Sequence, residues 1–172
     1  MVECSKEMQK YFDELEEGCL REFKIAEHAR KKGYDYIDKP DIILAKNMAE
    51  RVIGIIAVVA PQLQNSGAVK RITELEKEYG ILDWRVAFKI AEEIAQQKYC
   101  TFKDQKEAME IGIRTGFAYV TVGVVSSPIE GFTHIDIIDR MDKQGQYFCI
   151  NFSGPIRNAG GTAAAVCVLI AD

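Results

Sequence analysis

Residues 154–172 read GPIRNAGGTAAAVCVLIAD, and no other stretch restricts the fold as tightly. An alternating, strand-like run at 146–152 leads into Gly154 and Pro155, which cannot both continue a sheet, and a helix-forming run of small apolar residues follows Thr162. The order is therefore strand, glycine-rich turn, helix. Such a turn holds backbone N–H groups at the opening of a helix, where the dipole adds partial positive charge, so it can receive a phosphate or carboxylate. Gly160, Gly161 and Thr162 form its phosphate-facing part, and Arg157 adds a bidentate donor. A structural reading stands beside this one: Gly160 and Gly161 let helix and strand backbones approach closely, and Thr162 caps the helix. Neither known phosphate loop fits, because Gly161 and Thr162 come without the lysine of a Walker loop and the glycines lack dinucleotide-fingerprint spacing. The apolar run at 163–171 lacks a C-terminal stop signal and ends on Asp172, unfavourable at the negative end of a helix, so a fragment of a larger subunit is expected.

Upstream of this corner the apolar period is helical. Residues 5–32 carry Met8, Tyr11, Phe12, Leu15, Cys19, Phe23 and Ala26 on one face, and the basic cluster Arg30, Lys31, Lys32 precedes Gly33. That cluster reads as dipole complementation and a C-cap, or as a DNA-contacting patch. A loop is expected at 33–40, a second helix at 45–60, a break at 61–67, and further helices at 68–79 and, behind the cap Asp83, at 84–97. Asp104 with Glu107 opens a fifth, in which Ala108, Ile111, Thr115, Ala118 and Val122 recur; its later half is apolar nearly all round and is the expected core element. Arg114 inside it must snorkel or pair, and a carboxylate partner is expected ahead of a phosphate contact.

After Ser126 and Ser127 the period changes to two, with Thr133, Ile135 and Ile137 on one strand face, a polar turn at 140–145, and a returning strand at 146–152. The class is α+β: a helical bundle over 1–125, followed over 126–172 by an antiparallel β-hairpin, the glycine-rich turn and a covering C-terminal helix.

Catalytic constellations are not found. Asp136 and Asp139 lie three apart on a strand and face opposite sides, so they cannot share an ion without a bulge, and Asp136 belongs with His134 on a solvated face. His28 has no ligand at helical spacing, and Ser126, Ser127 and Ser153 lack a nucleophile setting. Cys4, Cys19, Cys100, Cys149 and Cys167 lack disulfide or zinc spacing and read as buried reduced thiols. With 22 Lys plus Arg against 26 Asp plus Glu, the net charge of -4 argues against nonspecific nucleic-acid binding by the whole surface, so any DNA contact must be a local patch. No apolar run reaches the roughly 20 residues that cross a bilayer.

GPIRNAGGTAAA, with VVSSPIEGFTHIDI before it, resembles the N-terminal part of the large subunit of the archaeal family D DNA polymerase. YFDELE from Tyr11, IAEHARKKGYD from Ile25, AERV from Ala49, RITELE from Arg71, WRVAFKIAEEI from Trp84 and IRTGFAYVTVGVVSSPIEG from Ile113 follow in that family's order, nearly the length of the chain. The resemblance implies a DNA-directed DNA polymerase in archaeal replication, with nucleotidyl transfer by metal-bound aspartates downstream. Magnesium and a structural zinc belong to those later regions, with no cofactor in this segment. It implies a separate small subunit with 3'-5' exonuclease proofreading, a heterodimer in the cytoplasm, and contact with DNA, for which Arg157, Arg114, Arg30, Lys31 and Lys32 are the candidates. Self-association, a purely structural protein–protein module presenting Tyr11 and Phe12, and a small nucleotide-binding enzyme built on the Gly154 turn are the competing expectations.

Overall fold

The computed structural model describes residues 5–34, 44–121 and 127–172. The helix predicted at 5–32 is α1 (Lys6–Lys31), begun by the Ser5 hydroxyl accepting the Met8 N–H at 3.2 Å. It ends where Gly33 takes φ +76° and the Tyr34 N–H returns to the Ala29 carbonyl at 3.1 Å, a conformation that glycine adopts without steric cost. Most of the loop expected at 33–40 lies outside the described residues, as do Cys4, Val122 and Ser126. Contacts group the chain into two units, 1–46 and 47–172, and α1 with its neighbours forms the first. No residue of α1 is buried.

The second unit begins with α2 (Met48–Ile56), whose Asn47 side chain caps the Glu50 N–H at 2.9 Å. It is shorter than the 45–60 reading because residues 57–59 form a turn, and a short 3-10 stretch at Pro61–Leu63 follows within the expected break. α3 (Ala68–Tyr79), α4 (Trp84–Ala95) and α5 (Gln105–Val120) follow at the predicted positions. The Asp83 and Asp104 side chains cap α4 and α5 by accepting the Arg85 and Glu107 N–H groups, at 2.9 and 2.8 Å. α5 is buried at every position from Ile111 to Tyr119, as its nearly all-round apolarity predicts. It joins two cores. Ile111, Ala118 and Tyr119 pack with Val52, Ile56, Ile72 and Ile90 of the helical half. Ile113 and Phe117 pack with Phe132, Ile135 and Cys167 of the following half. Each fully buried aliphatic side chain of this kind contributes about 1.5–3 kcal/mol through transfer from water.

Between α5 and the hairpin lies a π-helical turn, Ser127–Gly131, which the sequence pattern does not announce. β1 (Phe132–Asp139) and β2 (Gln146–Phe152) then pair antiparallel, with a bulge between Phe132 and His134. The bulge breaks the expected alternation: Phe132, not Thr133, joins Ile135 in the core. The far half of the hairpin is solvated, with Ile137, Met141 and Tyr147 exposed. α6 (Ile156–Ala171) packs on α5 and shares a core with Phe132, Ile135, Phe148 and Ile150, which makes it the covering helix of an α+β arrangement. Of the described cysteines, only Cys167 is buried; Cys19, Cys100 and Cys149 are half-buried, and all four are free thiols.

Candidate nucleic-acid interface

The glycine-rich corner is more helical than its sequence suggests. α6 starts at Ile156, ahead of the glycines, so Arg157 lies in its first turn and not in a loop. The corner also uses its own donors: the Ile156, Arg157 and Asn158 N–H groups return to the Ser153, Gly154 and Pro155 carbonyls at 3.2, 3.1 and 3.1 Å. They are not the open anion cradle that the turn suggests. Thr162 does not cap the start of α6, where Pro155 stands without a side-chain cap.

Gly160 interrupts α6 with φ 82° and ψ 169°, and the helix restarts beside Gly161 and Thr162. This backbone conformation favours glycine for conformational reasons alone. A Cβ built at Gly160 or Gly161 meets nothing within 4 Å, so close backbone approach does not explain either residue. The close approach is made elsewhere, at Gly131, where a Cβ would lie 3.0 Å from the Ile156 nitrogen. Arg157, Gly160, Gly161 and Thr162 are all exposed. The Arg157 guanidinium makes no hydrogen bond or ion pair among the described residues.

Arg114 is the opposite case. It is 9% exposed, and its guanidinium donates to the carbonyls of Pro128 (2.8 Å), Ile129 (3.0 Å), Phe132 (2.7 Å) and Thr133. It also lies over the Phe132 ring, 4.7 Å from its centre. The expected carboxylate partner is corrected here: main-chain carbonyls take its donors, although Glu110 adds favourable charge nearby. Burial lowers the Arg114 pKa from its ordinary value, and Glu110 opposes that shift. One turn earlier on α5, Glu110 accepts the Ile135 N–H at 3.0 Å. Together Arg114 and Glu110 bond backbone groups of the π turn and β1.

That grip extends to Arg157. The Ser153 N–H donates to the Gly131 carbonyl at 2.8 Å, the Ser153 hydroxyl bonds the Glu130 carbonyl, and Gly131 packs on Ile156. Arg114 thus holds the segment on which the Arg157 turn is seated, and reaches no surface of its own. Ser153 and Gly131 escape sequence reading as site residues, because carbonyl–hydroxyl contacts leave no spacing pattern.

The remaining candidates lie in the N-terminal unit. Lys31 pairs with Glu27 at 2.8 Å, which holds the exposed Glu27 carboxyl below its ordinary pKa. Lys32 closes the end of α1 with its backbone N–H on Ala29 and Arg30, while Arg30 is half-buried. These are the contacts of a helix C-terminus. On the hairpin, Asp136 accepts from Lys106 (3.2 Å) and Asn151 (2.9 Å) and faces His134 (3.2 Å), whereas Asp139 accepts from Gln146 (2.8 Å). The two carboxylates hold separate partners. Among the described residues no three His, Cys, Asp or Glu side chains gather as a metal-holding group, and no described helix is long and apolar enough to cross a membrane.

A family model described as DNA polymerase II large subunit DP2, N-terminal, matches residues 10–172. The chain is 43% identical to the DNA polymerase II large subunit of Nanoarchaeum equitans, over 94% of this chain and 13% of that protein. It is 43% identical to that of Methanothermobacter thermautotrophicus over 96% of this chain and 14% of that protein, and 40% identical to that of Methanococcus vannielii over 99% and 14%. The chain therefore spans about a seventh of the length of these relatives.

Proposed function

Because the chain belongs to the family of the N-terminal region of the DNA polymerase II large subunit DP2, we propose that it acts as the assembly and DNA-supporting domain of such a subunit. In this reading it contacts the DNA backbone through Arg157 and the restarted helix at Gly160, Gly161 and Thr162. Template-directed nucleotidyl transfer belongs to regions beyond residue 172, where carboxylates would hold magnesium against the attacking and leaving oxygens. A structural zinc also belongs there. Proofreading by a 3'-5' exonuclease belongs to a separate small subunit with which this domain helps assemble, in the cytoplasm.

The observation that carries the reading is the contrast between Arg114 and Arg157, both in the second unit. Arg114 is consumed inside the fold, while Arg157 projects from a turn that Arg114 steadies, with its guanidinium uncommitted. An exposed fork on a braced backbone suits a phosphate, which takes paired donors. The assignment of Arg30, Lys31 and Lys32 to DNA is weaker, since Lys31 is already paired and Lys32 ends a helix.

Binding of the 172-residue chain to duplex and single-stranded DNA across a salt series tests this. Weak binding, steep in salt, is expected, and Arg157→Ala should lower it for every sequence alike and reduce the salt slope by about 1. No binding at low salt, or binding indifferent to Arg157→Ala, would remove the DNA contact. A second reading then takes its place, in which the domain contacts only protein, either the small subunit or another copy of itself. The net charge of -4 and the half-exposed Met8, Tyr11 and Leu20 of α1 favour it.

A further inference from the structure

The two edges of the hairpin are finished differently. In an antiparallel pair, opposed residues alternate between exchanging both backbone hydrogen bonds and turning those groups away from each other. At the turn the Arg140 N–H bonds the Gly145 carbonyl at 2.9 Å, and at the other end the Ile135 N–H is directed to Glu110 at 3.0 Å. Both ends set the same phase along the register. Asp136 with Cys149 and Ile138 with Tyr147 exchange bonds, whereas Ile135 with Ile150 and Ile137 with Phe148 turn theirs outward. On the β1 side α5 closes the near half of the edge, through Glu110 on Ile135 and Arg114 on Phe132 and Thr133. On the β2 side the outward N–H and C=O groups of Phe148 and Ile150 bond nothing among the described residues. Natural sheets guard an open edge with charges, proline or a bulge. β1 has the bulge and His134, Asp136 and Asp139, while β2, QYFCINF, has none of these guards.

We infer that the outer edge of β2 receives β2 of a second copy of this chain, antiparallel, about a two-fold axis at Cys149, to make a four-stranded sheet. The edge itself selects this occupant. Centred on Cys149, the two strands set Phe148 opposite Ile150 of the second copy and Ile150 opposite its Phe148, so every outward group of these residues is bonded reciprocally. Tyr147 falls opposite Asn151, and no charge meets its like, because the strand carries none. The Phe148 and Ile150 pairs join aromatic to β-branched side chains on the face that already belongs to the core. At the axis the two Cys149 residues form a pair without hydrogen bonds, whose Cα atoms lie about 4.5 Å apart, within disulfide reach. Cys149 is a half-buried free thiol. This pairing needs no DNA and stands or falls apart from the Arg157 contact.

Sedimentation and amide exchange on the 172-residue chain, over a concentration series, test the edge. A dimer is expected, with the Phe148 and Ile150 amides slowing as concentration rises while those of Cys149 and Asn151 are slow throughout. Oxidation with diamide, which takes up the two protons and two electrons of the thiol pair, should give a disulfide-linked dimer that Cys149→Ser abolishes and Cys19→Ser leaves. Cys149→Lys sets like charges opposite each other at the axis but faces Asp136 within its own hairpin, so it should weaken the dimer about tenfold with the circular dichroism spectrum unchanged. A chain that stays monomeric, or Phe148 and Ile150 amides that exchange at one rate at every concentration, overturns the inference. So does a dimer indifferent to Cys149→Lys, which assigns self-association to another surface, or a Cys149 cross-link that a large subunit containing this domain fails to form, which assigns the edge to a strand of the same polypeptide.

Discussion

α5 meets α4 on one side and the hairpin entry on the other, and the two contacts are built on opposite principles. Toward α4 the contact works by subtraction. A Cβ at Gly112 would fall 2.5 Å from the Ala91 carbonyl oxygen, and one at Gly116 would fall 2.9 Å from that of Ala87, so the helices touch backbone to backbone. Toward the hairpin it works by addition, with the longest cationic side chain buried among carbonyls. The partners explain the difference. Two regular helices satisfy their own backbone groups and need only close packing, whereas a π turn running into a bulged strand offers carbonyls that need donors.

Removing the donor should have the largest effect. Arg114→Met keeps much of the apolar stem but leaves the Pro128, Ile129, Phe132 and Thr133 carbonyls without their partner, and roughly 3–5 kcal/mol of stability should be lost in urea unfolding. Arg114→Lys should recover only part of this, because a compact ammonium cannot span carbonyls that a planar fork reaches together. A loss within about 0.5 kcal/mol, the range of ordinary surface changes, would mean that the carbonyls find water as readily as arginine and would erase the contrast.

The other side of α5 breaks by the reverse operation. Gly112→Ala should cost about 1–3 kcal/mol, since the added methyl meets fixed backbone rather than a yielding side chain. Gly54→Ala on α2 is the control: nothing lies within 4 Å of its Cβ position, and the change should raise stability by up to about 1 kcal/mol through helix propensity. Thermal unfolding of the pair measures both. Equal effects at the two glycines would show that propensity, not contact, decides.

Sequence pattern reveals one side of this helix far better than the other. The absence of a polar face after Ala108 marks α5 as central, and Ser5, Asp83 and Asp104 announce helix starts through chemistry local to each residue. Arg114 is visible as a buried charge, but its partners are not, because a carbonyl belongs to every residue and carries no letter. The expectation of a carboxylate follows from that blindness. The Ser127–Gly131 turn is hidden for the same reason, being held by an arginine many positions away. At the candidate interface, Gly160 is legible as a residue freed from ordinary backbone limits. That Arg157 would sit inside a helix whose first donors are already used depends on Ser153, Gly154 and Pro155 folding back, a contact with no periodic trace.

Acid should separate the two halves with the smallest effect. Glu93, on the α4 side and nearly buried, accepts from Arg71 at 3.0 Å and from the Tyr99 hydroxyl, with Lys98 at 4.0 Å. Burial pushes its pKa up, but the Arg71 and Tyr99 bonds and the nearby cations outweigh burial and hold it below its ordinary 4.5. A depressed folded pKa means the contribution is complete above the unfolded value and lost as pH falls through the folded one. The Arg114 contact has no such dependence, because carbonyls take up no proton in this range. Amide exchange followed as pH drops below 4.5 should therefore show α3 and α4 losing protection before the segment at Pro128–Thr133. Glu93→Gln should weaken α3–α4 protection already at neutral pH and remove the acid dependence of the difference. If both halves open together in the parent protein at every pH, α5 transmits the loss across its width and the two contacts form one cooperative unit.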